Sequence, residues 1–224
     1  MSGTIHARLL NEMLQQPATF PPTLCSMSIL HCPRLLHSDI RSLLKNIAGS
    51  LTRVELRHLP EIKQGRFNSI LDWLPHLTHL TIAIEYIDQN FAHLPEDFAG
   101  STHWHLAKPL TYLALVSSGQ NDIDPHRAFT IVDMWDLMDT RYFGRLRRLY
   151  LAASTGWQFR DEGAEWEALR DLLLQELDKE NWIERRWHYE GLRGVPEGMT
   201  YEEWIEETPL GRKMRPRAAI LKDM

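Results

Sequence analysis

The chain has 224 residues, of which 43% are apolar and 25% charged, with 25 basic against 30 acidic side chains for a formal charge of −5. That is enough chain to bury a substantial core in one domain, or in two. The acidic balance argues against a nucleic-acid binder, which needs a basic stripe, and no apolar run approaches the ~18 residues of a membrane helix.

The opening stretch, MSGTIHARLLNEMLQQ, has early charges and no long apolar run, so it does not read as a secretion signal. Ile5, Leu9, Leu10 and Met13 recur at helical spacing and predict a helix ahead of the first strand. Cys25 and Cys32 are the only cysteines; two thiols in a chain of this length predict a reducing compartment, cytoplasmic or nuclear. Cys25 is expected in a strand and Cys32 at a turn, both as packing residues.

From Leu24 onward the pattern L-x-x-L-x-L returns five times: Leu24, Met27, Ile29; Leu51, Val54, Leu56; Leu77, Leu80, Ile82; Leu110, Leu113, Leu115; Leu146, Leu149, Leu151. Successive copies begin 27, 26, 33 and 36 residues apart. Each predicts a short strand, and the intervals predict helices. Ile40, Leu43, Leu44 and Ile47 form one stripe, with Ser38 as its cap and Gly49 as its end. Phe67, Ile70, Leu71 and Leu74 form a second, stopped by Pro75. Residues 88–108, with Pro95 and Gly100, predict a short helix or loop. Ala128, Ile131, Val132, Trp135 and Met138 form a third stripe, and Trp166, Leu169, Leu173 and Leu177 a fourth. Further on, Thr200 with Glu203 reads as a capping box, with Tyr201, Trp204 and Ile205 packing inward. The basic run GRKMRPR at 211–217 reads as an exposed tail.

Strand and helix alternating at this period suit two architectures. A doubly wound sheet buries its strands on both faces, so they read as continuous apolar runs. A repeat solenoid covers one face with helices and leaves the other to solvent. LTRVELR, HLTHLTIAI and RLRRLYLA alternate apolar with polar or charged residues, which favours one wet face. No Gly-rich phosphate loop follows any strand. The expected fold is therefore α/β: an irregular leucine-rich-repeat solenoid, a parallel sheet with helices on one face, plus a helical C-terminal cap. Residues 1–195 would form the repeats with a terminal helix, and 196–224 a capping helix and basic tail. Trp182, Trp187 and the Trp166 and Trp204 helices would close the C-terminal end, while the edge near Leu24–Leu30 is expected to be poorly protected.

The repeats resemble the leucine-rich repeats of fungal F-box proteins. LCSMSILHCPRLLHSDIRSLL carries the likeness best, with Cys32 at the inward turn position and Leu35 three residues on. Leu59, Glu85, Ser118 and Ser154 hold the later turn positions, so the regular Asn/Cys ladder is absent. The resemblance spans about residues 20–180. It implies a repeat region that holds a substrate for ubiquitin transfer, the adaptor of the Skp1 type being docked by an F-box. LPEIKQGRFNSILDWLPHLTHL, residues 59–80, superficially matches an F-box opening, but its ends belong to adjacent repeats and the closing helix of an F-box is missing. With no F-box visible, the Skp1-type adaptor that the resemblance implies has no recognisable docking segment here.

In L-x-x-L-x-L the third, fifth and seventh positions face away from the core. The third positions are Ser26, Arg53, His79, Tyr112 and Arg148; the fifth are Ser28, Glu55, Thr81, Ala114 and Tyr150; the seventh are Leu30, Arg57, Ala83, Val116 and Ala152. Arg53, Glu55, Arg57, His79, Thr81, Tyr112, Arg148 and Tyr150 are the candidate binding residues. Arginine and tyrosine bury much area while keeping hydrogen-bonding ends, which suits a protein partner bearing an acidic or aromatic segment.

Other chemistry is poorly supported. His103 and His105, or His76 and His79, lack a third ligand at suitable spacing for zinc. EEWIEE at 202–207 reads as a solvated helix face, not an acid/base pair. No nucleophile elbow, P-loop or H-E-x-x-H motif occurs. The sequence thus predicts a non-enzymatic protein-binding module without cofactor or metal, and the resemblance to fungal F-box proteins implies substrate recognition in an SCF-type ubiquitin ligase as its setting. A hydrolase on an α/β sheet is the alternative; it requires a strand-to-helix nucleophile turn and converging polar groups.

Overall fold

The computed structural model describes residues 23–92, 108–120, 123–140, 142–146 and 148–152, and the backbone of 219–222. Five strands fall on the repeated pattern: β1 (Ser26–Leu30), β2 (Arg53–Arg57), β3 (His79–Ala83), β4 (Tyr112–Val116) and β5 (Arg148–Leu151). A sixth, β6 (Ala219–Lys222), has no counterpart in the pattern; its residues were expected to lie in the basic tail. All six make one sheet in sequence order, and every neighbouring pair is parallel. The fold class is therefore α/β.

The registers align the repeats residue for residue. Met27, Val54, Leu80, Leu113 and Leu149 stand side by side, as do Ile29, Leu56, Ile82, Leu115 and Leu151. These inward positions are buried, while the third positions are exposed or half-buried. A one-residue slip would turn each apolar set to the opposite face, so the period-two pattern fixes the pairing.

A threonine row reinforces this alignment. The Thr52 hydroxyl donates to the Cys25 carbonyl at 3.1 Å, Thr78 to Thr52 at 3.0 Å and Thr111 to Thr78 at 3.1 Å. The same carbonyls accept backbone N–H groups from the next repeat, such as Thr52 and Arg53 on Cys25. Each threonine thus adds a side-chain bond just where its strand begins to pair. Three of the five copies carry threonine at that second position, visible as LTR, LTH and LTY.

Between the strands, α1 (His37–Asn46) buries Ile40, Leu43 and Leu44, α2 (Ile70–Trp73) buries Ile70 and Leu71, and α3 (Ile131–Asp139) buries Ile131, Met134, Leu137 and Met138. These side chains and the inward strand residues form one apolar cluster.

Several local expectations need correction. The cap of α1 is Leu36, not Ser38: the Asp39 carboxylate accepts the Leu36 N–H at 3.3 Å, so the helix starts two residues earlier. Its C-cap is Ile47, ahead of Gly49. The second stripe gives only one helical turn. Gly65 enters with φ +77 and the Asn68 side chain is engaged elsewhere, so Phe67 and Leu74 are buried from turns flanking α2. In α3, Thr130 and Asp133 form a reciprocal cap, which sets Ile131 inward and leaves Val132 46% exposed. Cys25 lies before β1 and is exposed, whereas Cys32 is buried and its thiol donates to the Leu30 carbonyl at 3.3 Å. The predicted helices at 5–14 and 166–177, most of the 88–108 interval, and the Trp204 region lie outside the described residues.

Candidate functional site

The open side of the sheet is built from strand alternation alone. Ser26, Arg53, His79, Tyr112 and Arg148 stand opposite one another in adjacent strands, and the register continues to Ala219. Ser28, Glu55, Thr81, Ala114 and Tyr150 form the next row. Arg53 and Arg148 are exposed; Glu55, Arg57, His79, Thr81, Tyr112 and Tyr150 are half-buried. All eight candidate residues thus lie on or beside this face.

The seventh row departs from the expectation of an open surface. Ala83, Val116 and Ala152 are buried, and so is Ala114 in the fifth row. The accessible part therefore lies toward the strand beginnings and toward β1 and β2. A depression of about 210 Å³ occupies that part, lined chiefly by Ser28, Arg53, Glu55, His79, Thr81 and Tyr112.

The charges in the depression are unequally committed. Glu55 accepts from the Ser28 hydroxyl at 2.6 Å and pairs with Arg57. Among the described residues, no carboxylate pairs with Arg53 or Arg148. His79 stands between them in the row. Its ring stacks on Tyr112 with centroids 5.6 Å apart and planes 24° from parallel, and its Nδ1 is 2.9 Å from the Thr78 hydroxyl. Partial burial, then the guanidinium groups of Arg53 and Arg148, hold the His79 imidazole below its ordinary pKa. The row therefore carries two unneutralised arginines around a pair of stacked rings.

The turn positions after the strands hold two arrangements that the sequence did not reveal. Glu85, which breaks the Asn/Cys ladder by identity, is buried and replaces it by contact: its carboxylate accepts the Ser117 hydroxyl and the N–H groups of Ser118 at 3.0 Å and Gly119 at 3.3 Å. Asp88 is fully buried and accepts from Asn68 Nδ2 at 2.5 Å, the Asn90 N–H at 2.9 Å and Arg127 at 2.5 Å. Both are structural centres, because their acceptors are filled by the chain's own donors. The sequence signal for them is weak, since each joins repeats whose residues are distant in the chain. His31 and His58, one repeat apart and each just past its strand, stack with centroids 4.3 Å apart. His76 and His79 meet no third ligand: among the described residues, no three His, Cys, Asp or Glu side chains stand together as a metal site. No helix among the described residues is long and apolar enough to cross a membrane.

No family model matches the chain. Among curated proteins it is similar to Protein pof5 of the fission yeast Schizosaccharomyces pombe, with 27% identity over 161 residues. The match covers 70% of this chain and 42% of that protein, so the chain spans less than half the length of this relative.

Proposed function

We propose that the chain is a leucine-rich-repeat module that binds a protein partner through the open face of its sheet. The row Arg53, His79, Tyr112, Arg148 carries this reading, since it sets aromatic rings and two cations that no carboxylate pairs with among the described residues on an acidic molecule. A solvated sheet face without a ligand gains nothing by leaving two arginines without carboxylates; a partner with acidic groups would supply them. Strands in sequence order, with buried and accessible residues alternating through β1, β2 and β5, suit a repeat solenoid. The setting we propose is substrate recognition in an SCF-type ubiquitin ligase, in keeping with the resemblance to the repeats of fungal F-box proteins. Similarity to a fission yeast protein over 70% of the chain is consistent with that fungal resemblance.

The test is affinity capture with the wild-type chain and an Arg53/Tyr112/Arg148 triple-alanine variant of unchanged circular dichroism. Partners should be lost from the variant. Recovery of the same partners by both would reject the face, and absence of a Skp1-type adaptor from both would remove the ubiquitin-ligase setting.

A further inference from the structure

We propose that the third-position row binds an extended partner segment of the form acidic–x–aromatic–x–acidic, running across the strands, and that His79 takes up a proton as the segment docks. The proposal rests on the protein-binding reading of this face and specifies its ligand.

Strand spacing sets the ligand's dimensions. Neighbouring strands lie about 4.8 Å apart, so Arg53 and Arg148, three strands from each other, are separated by roughly 14 Å at the backbone. An extended peptide advances about 3.4 Å per residue, so its positions i and i+4 are separated by nearly the same distance. In such a peptide i, i+2 and i+4 point to one side. Carboxylates at i and i+4 then meet Arg53 and Arg148, and the residue at i+2 falls over the stacked His79 and Tyr112 rings. An aromatic side chain there gains ring contacts that an aliphatic one does not.

The charges around His79 supply the proton linkage. Arg53 approaches from β2 and Arg148 from β5, both disfavouring the imidazolium; Tyr112 covers the ring from β4 and Thr78 holds Nδ1. Glu55, the remaining charge in the depression, is tied to Ser28 and Arg57. Two carboxylates arriving on the arginines cancel their repulsion of the imidazolium and add an attraction of their own. Its pKa then rises, and binding strengthens as the pH falls.

The experiment is calorimetric titration of the full chain with a short synthetic peptide carrying Glu-Ser-Tyr-Ser-Glu, against controls with Gln for Glu and with the glutamates moved to adjacent positions. Affinity should be severalfold higher near pH 6 than near pH 8, the direction set by a rise in the His79 pKa on docking. Titrations in two buffers of different ionisation enthalpy should show proton uptake. His79→Gln should retain the affinity seen near pH 8 and lose both the pH dependence and the uptake. Equal binding of the adjacent-glutamate peptide, or pH dependence surviving in His79→Gln, overturns the proposal, as does failure of the spaced peptide to bind. The chain itself carries this spacing at Glu202, Trp204 and Glu206. Peptide binding that appears only in a Glu202→Gln/Glu206→Gln variant would overturn the assignment to a partner and make that segment the occupant. Loss of captured partners from the triple-alanine variant, with no preference for the spaced peptide, would reject this ligand and leave the binding face standing.

Discussion

Asp88 concentrates more of the chain's polar organisation than any residue of the open face. Its side chain is fully buried while Arg127, its ionic partner, is half-exposed. Burial opposes ionisation of Asp88, but donors from Asn90, Asn68 and Arg127 together outweigh it and hold the carboxyl below its ordinary pKa. A carboxyl with a depressed folded pKa contributes stability that is present above the unfolded value, about 3.9, and is lost as the pH falls through the folded one. Asp88→Asn should therefore flatten the acid limb of the stability curve below about pH 4 while lowering stability at neutral pH; an acid limb as steep as wild type in urea titrations would contradict it. Gly65 belongs to the same centre. Its φ of +77 is a region that side chains rarely adopt, and an added Cβ would lie 2.5 Å from the Asp88 carboxylate. Gly65→Ala should cost at least about 1–3 kcal/mol, through backbone strain and displacement of a buried charge, measurable as a fall in denaturation midpoint. His79 acts with the same sign at higher pH on the open face: its folded pKa lies below the unfolded one, so protonation favours unfolding, and stability drains slightly as the pH falls below about 6.5.

Elements here are stabilised by what repeats, and undercut by what does not. Leu56 is fully buried in the central inward row, and Leu56→Ala should cost about 2–5 kcal/mol as a cavity opens between the sheet and the helices. Thr78 holds two repeats together, donating to the Thr52 carbonyl while its own carbonyl accepts from Thr111. Thr78→Val keeps the β-branched shape and removes the hydroxyl; it should cost about 1 kcal/mol, read by thermal melting. A neutral result would show that the backbone bonds alone align the strands. The helices follow sequence less faithfully than the strands do. The spacing Phe67, Ile70, Leu71, Leu74 reads as two helical turns, but Gly65 and the engagement of Asn68 by Asp88 leave only Ile70–Trp73 helical. A helical stripe states which residues are buried; it does not state whether a helix or a pair of turns buries them. The cap of α1 shows the same limit, because Ser38 is a competent cap residue, yet the helix starts after Leu36, whose N–H the Asp39 carboxylate accepts.

At the scale of the molecule, charge and topology act together. The whole chain is acidic at −5, yet among the described residues no carboxylate pairs with Arg53 or Arg148 on one face. Partner binding through that face should weaken as salt rises from low to physiological ionic strength, most steeply for the wild type and least for the triple-alanine variant. Salt-independent association would place the partner elsewhere. The sequence by itself determined β1 to β5, their inward residues and the third-position row on the accessible face, because side-chain alternation and a recurring pattern are local properties that parallel pairing simply stacks. Tertiary structure alone decided that the seventh row closes, that Glu85 replaces an absent ladder residue by reaching the next turn, and that Asp88, Asn68, Gly65 and Arg127 form one centre. It also decided that β6 extends the sheet beyond β5. Each of these depends on which distant segments meet, and no periodicity in the sequence encodes that meeting.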